Sequence, residues 1–377
     1  MTGVAILGST GSIGRQTLEV IAGLGDRFTV RGLAAGRRVH ELEAQLAAWP
    51  GARAWSAAGR PGELPASRWA DGGLVELATD DGVDLVVVAT TGMAALEAVL
   101  EALRSGRRVA LANKETLVTG GHLVDPLLRT LGGDRLDRLR PIDSEHSAIW
   151  QCLLGEPLEA VSRLVLTASG GPFRGRSAGS LASVTPGEAL AHPTWRMGPK
   201  ITIDSATLVN KAFEAIEARW LYRIPYSKID AVIHPQSVVH SLVEFRDGSY
   251  KAQLGMPDMR LPIQFALTYP DRLPSPARPS TPPAWGTLEF AELADDDYPA
   301  YATVRAAAKA GGNRGAVLNA ADEVAVEAFL DGRLPFPAIA TTIAAAVERW
   351  GTDEEPDLAA IIAIDREVRD ALKAEIG

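Results

Sequence analysis

Only one of the 377 residues is a cysteine, Cys152, so no intrachain disulfide can form and no cysteine cage for zinc can be built. An excess of positive charge is also missing. The 38 Lys and Arg against 47 Asp and Glu leave a formal charge of −9, which offers no global field for a phosphate backbone or an anionic lipid surface. Nucleic acid and membranes are not expected partners. No apolar run approaches the roughly 18 residues that cross a bilayer. The start does not read as a secretory leader either, because the first basic residue is Arg15 and the run Val4-Ala5-Ile6-Leu7 is broken by Gly8. A reducing cytoplasm is the expected compartment. There is no internal repeat and no low-complexity tract. What remains is ordinary in amount: 46% hydrophobic and 23% charged residues, the balance of a folded globular chain. The length predicts two or three domains.

The first hundred or so residues alternate short apolar runs with amphipathic stretches, which predicts an α/β fold of repeated strand-helix-strand units on a parallel sheet. Strands are expected at 4–7, 28–34, 85–89, 108–112 and 139–142. Helices are expected at 13–24, 39–49 and 94–104, and from about 121. The run 85–89 is apolar without alternation, so both of its faces should be covered. Residues 50–75 show no period and predict only loop and short elements. After 162 the pattern changes to α+β, with strands at 164–167 and 200–203 and a long helix over 206–221. A hairpin is expected from 238–245 and 249–254 on either side of Asp247-Gly248, since glycine tolerates the positive φ of a two-residue turn. Six prolines between 270 and 283 predict an extended linker. Helices over 299–310, 315–330, 336–350 and 358–374 then predict a small bundle. The expected boundaries are 1–142, 143–269, a linker at 270–294, and 295–377.

Several residue groups carry chemistry. Gly8, Gly11 and Gly14 lie between the first strand and the first helix, a placement that lets backbone approach a pyrophosphate at a helix N-terminus; a plain tight turn would use some of the same glycines. After the second strand the sequence is Ala35-Gly36-Arg37-Arg38, with no acid to grip a ribose 2′-hydroxyl. Two guanidiniums suit a 2′-phosphate, which favours NADPH over NADH, and two solvated arginines are the alternative. Lys114 follows a strand at the carboxyl edge of the sheet, where it can donate to a substrate oxygen or simply be solvated. Asp143 and Glu145, at i and i+2 in extended chain, point to one side. They offer oxygen ligands suited to Mg²⁺ or Mn²⁺, or else an exposed acidic strand end. Asn210, Lys211 and Glu214 share a helix face, as a binding surface or a helix salt bridge. The loop holding Ser169, Gly170 and Gly171 offers a hydroxyl and free N–H groups to a phosphate. Ser205, at an expected N-cap, serves the cap alone or an anion as well.

The strings ILGSTGSIG (6–14), LANKETLV (111–118), PIDSEHSAIWQ (141–151), TASGGPFR (167–174), HPTWRMGPKITIDSATLVNK (192–211), EAIEARWL (214–221) and IHPQSVVHS (233–241) together resemble the 1-deoxy-D-xylulose 5-phosphate reductoisomerases. The resemblance covers nearly the whole chain. It implies NADPH-dependent isomerisation and reduction of a sugar phosphate to 2-C-methyl-D-erythritol 4-phosphate, in the non-mevalonate route to isoprenoids. The implied fold is an N-terminal doubly wound, Rossmann-like NADPH domain, a central α+β catalytic domain and a C-terminal helical bundle, assembled as a homodimer. The implied metal ligands are Asp143, Glu145 and Glu214, holding Mg²⁺ or Mn²⁺. Substrate contacts are implied for Lys114, Ser144, Glu145, Ser169, His192, Ser205, Asn210, Lys211 and Glu214, with catalytic roles for Lys114, Glu145, His192 and Trp195. Trp195 and Met197 would ride on a mobile lid. Cofactor contacts are implied for Thr10, Gly11, Ser12, Ile13, Gly36, Arg37, Arg38, Asn113, Glu115 and Gly198, although Arg38 stands where the family often carries Asn. The rival readings are a metal-free NADPH dehydrogenase with Lys114 as acid, and an NADPH sensor without turnover.

Overall fold

The computed structural model describes residues 1–377, the side chain of Ala178 apart. The chain runs β1 (Thr2–Leu7), α1 (Ser12–Gly23), β2 (Phe28–Ala35), α2 (Val39–Ala48), β3 (Arg53–Ser56), α3 (Gly73–Thr79), β4 (Leu85–Val88), α4 (Leu96–Arg104), β5 (Arg108–Leu111), α5 (Glu115–Leu131), α6 (Arg135–Arg138) and β6 (Leu139–Pro141). It continues through α7 (Ser144–Leu153), β7 (Val161–Ala168), α8 (Pro186–Ala189), α9 (Pro199–Thr207), α10 (Val209–Tyr222), β8 (Ile229–Ile233), β9 (Val239–Phe245) and β10 (Tyr250–Leu254). The last elements are α11 (Arg260–Thr268), α12 (Pro282–Trp285), β11 (Ala291–Glu292), α13 (Pro299–Ala310), α14 (Arg314–Leu330), α15 (Ala338–Trp350) and α16 (Leu358–Ile376). Two compact units emerge: the first combines Met1–Thr116, Leu123–Ser147 and Asp258–Arg278, the second Leu117–His122, Ala148–Pro257 and Pro279–Gly377.

In the first unit, six parallel strands take the order β3-β2-β1-β4-β5-β6. The order reverses between β1 and β4, the switch point at whose carboxyl edge ligands of doubly wound sheets sit. All four residues of β4 are buried, as its unbroken apolar run predicts. Residues 50–75 hold more order than their composition suggests: Arg53–Ser56 pairs in parallel with β2 as the edge strand, and its inward residues, Ala54 and Ser56, are too small to announce a buried face. The segment α11 completes the unit, placing Ile263, Ala266 and Leu267 in the same core as Val4, Leu18, Leu33 and Ile142. Buried Arg140 donates to the Ala266 carbonyl at 2.8 Å and so fixes the returning chain.

The second unit holds a mixed sheet in the order β10-β9-β7-β8-β11, with β7 parallel to β8 and antiparallel to β9. The hairpin β9–β10 turns at Asp247-Gly248 as expected, with Gly248 at φ 83° and the Ser249 N–H donating to Asp247 Oδ1 at 3.0 Å. Helices α13 to α16 match the four stretches of helical spacing read from the sequence, and their apolar residues share a core with α9 and α10, α14 being buried on nearly every side.

Two sequence expectations fail here. Residues 200–203 are helical, not a strand; Ile201 and Ile203 alternate with polar neighbours, but Pro199 at the first helical position and Gly198 at the N-cap start a helix. The long helix over 206–221 is consequently two helices, broken at Leu208 with φ 57°. Ser205 therefore lies in the last turn of α9 rather than at an N-cap.

Candidate active site

At the switch point of the first unit, Gly8 has φ 93°, a region open to glycine at no steric cost. A Cβ on Gly14 would run into the Gly8 carbonyl oxygen and the Ser9 Cα, so the close crossing of loop and helix requires glycine there. Gly11 caps α1 without a side chain, leaving the first N–H groups of the helix and its positive end available to an anion. Thr10 is buried, Ser12 exposed, and Gly36, Arg37 and Arg38 are all exposed beyond β2. Arg38 reaches Glu41 across 3.4 Å of solvent-exposed surface, a contact too weak to hold it against a phosphate.

Asn113 is spoken for within the chain. Its amide donates to the carbonyls of Thr90 at 3.0 Å and Gly92 at 2.8 Å and to Glu115 at 2.8 Å, while its Oδ1 accepts from the Thr116 N–H at 2.9 Å. It thereby ties the loop after β4 to the loop after β5. Lys114, next along, is buried and ion-paired with Asp143. The acids do not lie on an extended strand as expected. The strand β6 stops at Pro141, α7 starts at Ser144, and Asp143 Oδ1 accepts the Glu145 N–H at 3.1 Å. Ser144 Oγ donates to Glu145 Oε2 at 2.8 Å. Two carboxylates thus converge on a helix start beside a buried ammonium.

In the second unit, the face of α10 gathers Asn210, Lys211 and Glu214. The buried Glu214 carboxylate accepts from Asn210 Nδ2 at 2.7 Å on one oxygen and pairs with the buried Lys211 ammonium on the other. The loop after β7 lies against α9: a Cβ on Gly171, whose φ is 67°, would stand 2.7 Å from the Ser205 carbonyl oxygen. This packing brings the Ser169 loop beside Ser205. The ring of Tyr298, which no sequence pattern marked, donates its hydroxyl to the Gly170 carbonyl at 3.2 Å and supports the loop from the bundle side.

His192 connects this loop to the segment that follows. Its Nδ1 accepts the backbone N–H groups of Thr194 at 3.1 Å and Trp195 at 2.9 Å, and its Nε2 lies 3.0 Å from Ser169 Oγ. Two N–H donors on Nδ1 place the single proton of the neutral ring on Nε2. Ser169 Oγ accepts that proton's hydrogen bond and a second from the Gly171 N–H at 3.2 Å, so its own proton is left for another acceptor. Burial holds the His192 pKa below its ordinary 6.5, in keeping with a neutral ring. Trp195 is half-buried, its ring 6.3 Å from His240. His240 was not singled out from the sequence, and neither was His234, whose Nε2 accepts from the N–H groups of Val238 and Val239. Both sit in IHPQSVVHS, where their shared string was the available signal. Cys152 is buried, with its thiol pKa pushed up to about 11 by desolvation, as a packing residue rather than a nucleophile requires.

Residues 4–121 match the family model for 1-deoxy-D-xylulose 5-phosphate reductoisomerase, and residues 139–222 and 254–371 match two models for C-terminal domains of the same enzyme. The chain is 47% identical over 379 residues to the 1-deoxy-D-xylulose 5-phosphate reductoisomerase of Pelotomaculum thermopropionicum, covering 98% of this chain and 97% of the relative. Identity to the Thermomicrobium roseum enzyme is also 47%, over 100% and 98%. Among solved structures, DOX-P reductoisomerase in complex with NADPH, fosmidomycin and magnesium superposes with a TM-score of 0.90 at 36% identity, over 100% of this chain and 98% of the other. The Zymomonas mobilis enzyme in complex with NADPH gives a TM-score of 0.85 at 38% identity, over 100% and 99%.

Proposed function

The chain belongs to the 1-deoxy-D-xylulose 5-phosphate reductoisomerase family, and from that premise we infer how its residues divide the work. It is an NADP-dependent oxidoreductase that isomerises and reduces 1-deoxy-D-xylulose 5-phosphate to 2-C-methyl-D-erythritol 4-phosphate with a divalent cation. The observation that carries this reading is 47% identity to named relatives over nearly the whole chain, joined by a neighbour holding NADPH, fosmidomycin and magnesium.

Asp143, Glu145 and Glu214 are our assignment for the cation, Mg²⁺ or Mn²⁺. The donor set supports it: three oxygen carboxylates suit a hard cation. When bound, the cation supplies a Lewis acid for the substrate carbonyl and neighbouring hydroxyl oxygens, and NADPH supplies the hydride. Ser169, Ser205, Asn210 and Lys211 bind the substrate phosphate, with the Ser169 proton aimed by His192. Lys114 donates to a substrate oxygen, and Ser144 orients Glu145, which assists proton transfer beside the reacting carbons. Trp195, with Met197, covers the substrate and excludes water. Thr10, Gly11, Ser12 and Ile13 at the start of α1 would hold the cofactor's pyrophosphate, Gly36, Arg37 and Arg38 would receive its 2′-phosphate, and Asn113, Glu115 and Gly198 would make further contacts.

We further infer a homodimer. Strand β10 is a sheet edge whose residues are mostly exposed, including Tyr250 and Leu254, with exposed Met256 just beyond, and such an edge invites pairing. Sedimentation should give twice the 40.0 kDa chain mass. Among the described residues no helix is long and apolar enough to cross a membrane, and one buried thiol suits our expectation of a cytoplasmic location. The deciding assay is NADPH oxidation with 1-deoxy-D-xylulose 5-phosphate. EDTA should abolish it and Mn²⁺ restore it, whereas turnover that survives EDTA would return the metal-free dehydrogenase reading.

A further inference from the structure

Asp322 is a carboxylate in the wrong surroundings. It lies in the middle of α14, fully buried, with Ala320, Ala321, Val324 and Ala325 around it on the helix. A buried charge persists only when an opposite charge meets it. That charge is Lys200, whose ammonium stands 2.6 Å from Asp322 Oδ2 and 2.6 Å from Asp204 Oδ2, one turn along its own helix. The same ammonium lies 5.3 Å over the Phe213 ring of α10. Burial raises the Asp322 pKa and Lys200 opposes that rise.

The position of Lys200 makes the arrangement informative. It is the second residue of α9, where the positive end of the helix disfavours a cation, so helix formation does not explain it. Two carboxylates do. Immediately before α9 runs the irregular stretch from His192 to Gly198, and after it, past the left-handed Leu208, comes the α10 face with Asn210, Lys211 and Glu214. A clamp on Lys200 therefore fixes one end of the Trp195 segment and one end of the helix that carries Ser205.

We propose that the Lys200 ammonium, held between Asp204 and Asp322, is the fixed root from which the 192–198 segment closes, which makes Asp322 in the C-terminal bundle a positioning residue for the site. The inference rests on the reading of that segment as a cover for the substrate. Asp322 is not among the residues assigned to substrate or cofactor. It acts through Lys200, and so its loss should alter closure rather than the chemistry of bound groups.

The test compares Lys200→Met, Lys200→Arg and the double variant Lys200→Met/Asp322→Leu with the unaltered enzyme. Turnover, thermal midpoint and fosmidomycin-dependent hydrogen-exchange protection of residues 192–198 are measured on each. Lys200→Met should lower kcat at least tenfold, leave the KM for NADPH unchanged within twofold, and lose the ligand-dependent protection. Lys200→Arg, which keeps the charge, should recover most of both. The double variant removes Lys200 and Asp322 together and leaves Asp204 as the one carboxylate of the clamp, and should regain part of the thermal midpoint lost in Lys200→Met without regaining kcat or protection. Recovery of kcat along with stability in the double variant would reduce the cluster to a structural ion pair and overturn the proposal. An unaltered enzyme whose 192–198 segment gains no protection from the ligand would remove the cover reading first, and the proposal with it; protection in the unaltered enzyme and equally in Lys200→Met would sink the proposal alone.

Discussion

Two side chains put the chemistry at most direct risk. Glu214 holds Lys211 and Asn210 in place and is assigned to the cation, so Glu214→Gln removes a charged ligand while keeping shape and one acceptor. Loss of outer-shell partners alone costs metal sites about 10–100-fold, and this change should cost kcat at least about 100-fold, with half-saturation by Mn²⁺ raised and NADPH binding by fluorescence nearly unaltered. Normal turnover would take Glu214 out of the metal site. His192 predicts a pH effect of definite sign. Its folded pKa lies below the ordinary 6.5 because of burial, so the unfolded chain takes up the proton first as pH falls. The stabilisation tied to the neutral ring is complete above about pH 6.5 and is lost as pH drops through the depressed value. Protonated Nδ1 cannot accept the Thr194 and Trp195 N–H groups, and kcat should decline over the same range. In His192→Gln that acid limb should vanish at the cost of up to about tenfold in kcat, the worth of one neutral hydrogen bond of ~0.5–1.5 kcal/mol; a limb that persists unchanged would belong to another group.

The turn from β1 into α1 and the turn after β2 act as complete elements. A Cβ at Gly14 meets backbone, not a side chain that can swing away, so Gly14→Ala should cost ~1–3 kcal/mol in urea denaturation and weaken NADPH binding as the loop shifts. The paired change Arg37→Ala with Arg38→Ala should raise the KM for NADPH far more than for NADH, each well-formed bond to the 2′-phosphate contributing ~1.5–3 kcal/mol. An equal effect on both cofactors would make these arginines surface residues only. The legibility of the sequence follows the same grain. Buried parallel strands such as 85–88 and the amphipathic helices of the bundle could be read because one face, or both, is uniformly apolar. Strand β3 could not, since small inward residues carry little hydrophobic signal, and α9 was misread because two isoleucines alternate with polar residues over too few positions to separate a period of 2 from 3.6. Asp143 and Glu145 were found as an acidic pair from their spacing, but their geometry depends on where α7 begins, which a proline and a serine settle locally. Tyr298 and Asp322 were invisible, because each acts on residues more than a hundred positions away.

At the scale of the molecule, the first unit is assembled from three separated stretches of chain, the last being 258–278. A fragment ending at 147 lacks α11, hence Ile263, Ala266 and Leu267 of the core and the carbonyl that accepts from buried Arg140. Such a fragment should melt without a cooperative transition by circular dichroism, and joining 258–278 to it through a flexible linker should restore one; a sharp transition in the bare fragment would show that α11 is dispensable. The same discontinuity sets a timetable for synthesis. A ribosome delivers the sheet strands of this unit, then all of residues 148–257, before the helix that closes its core emerges. At about 5–20 residues per second the wait is on the order of ten seconds. Through that interval the nascent chain carries an unfinished apolar face around Leu18 and Ile142, open to aggregation until its own residues 258–278 arrive to cover it.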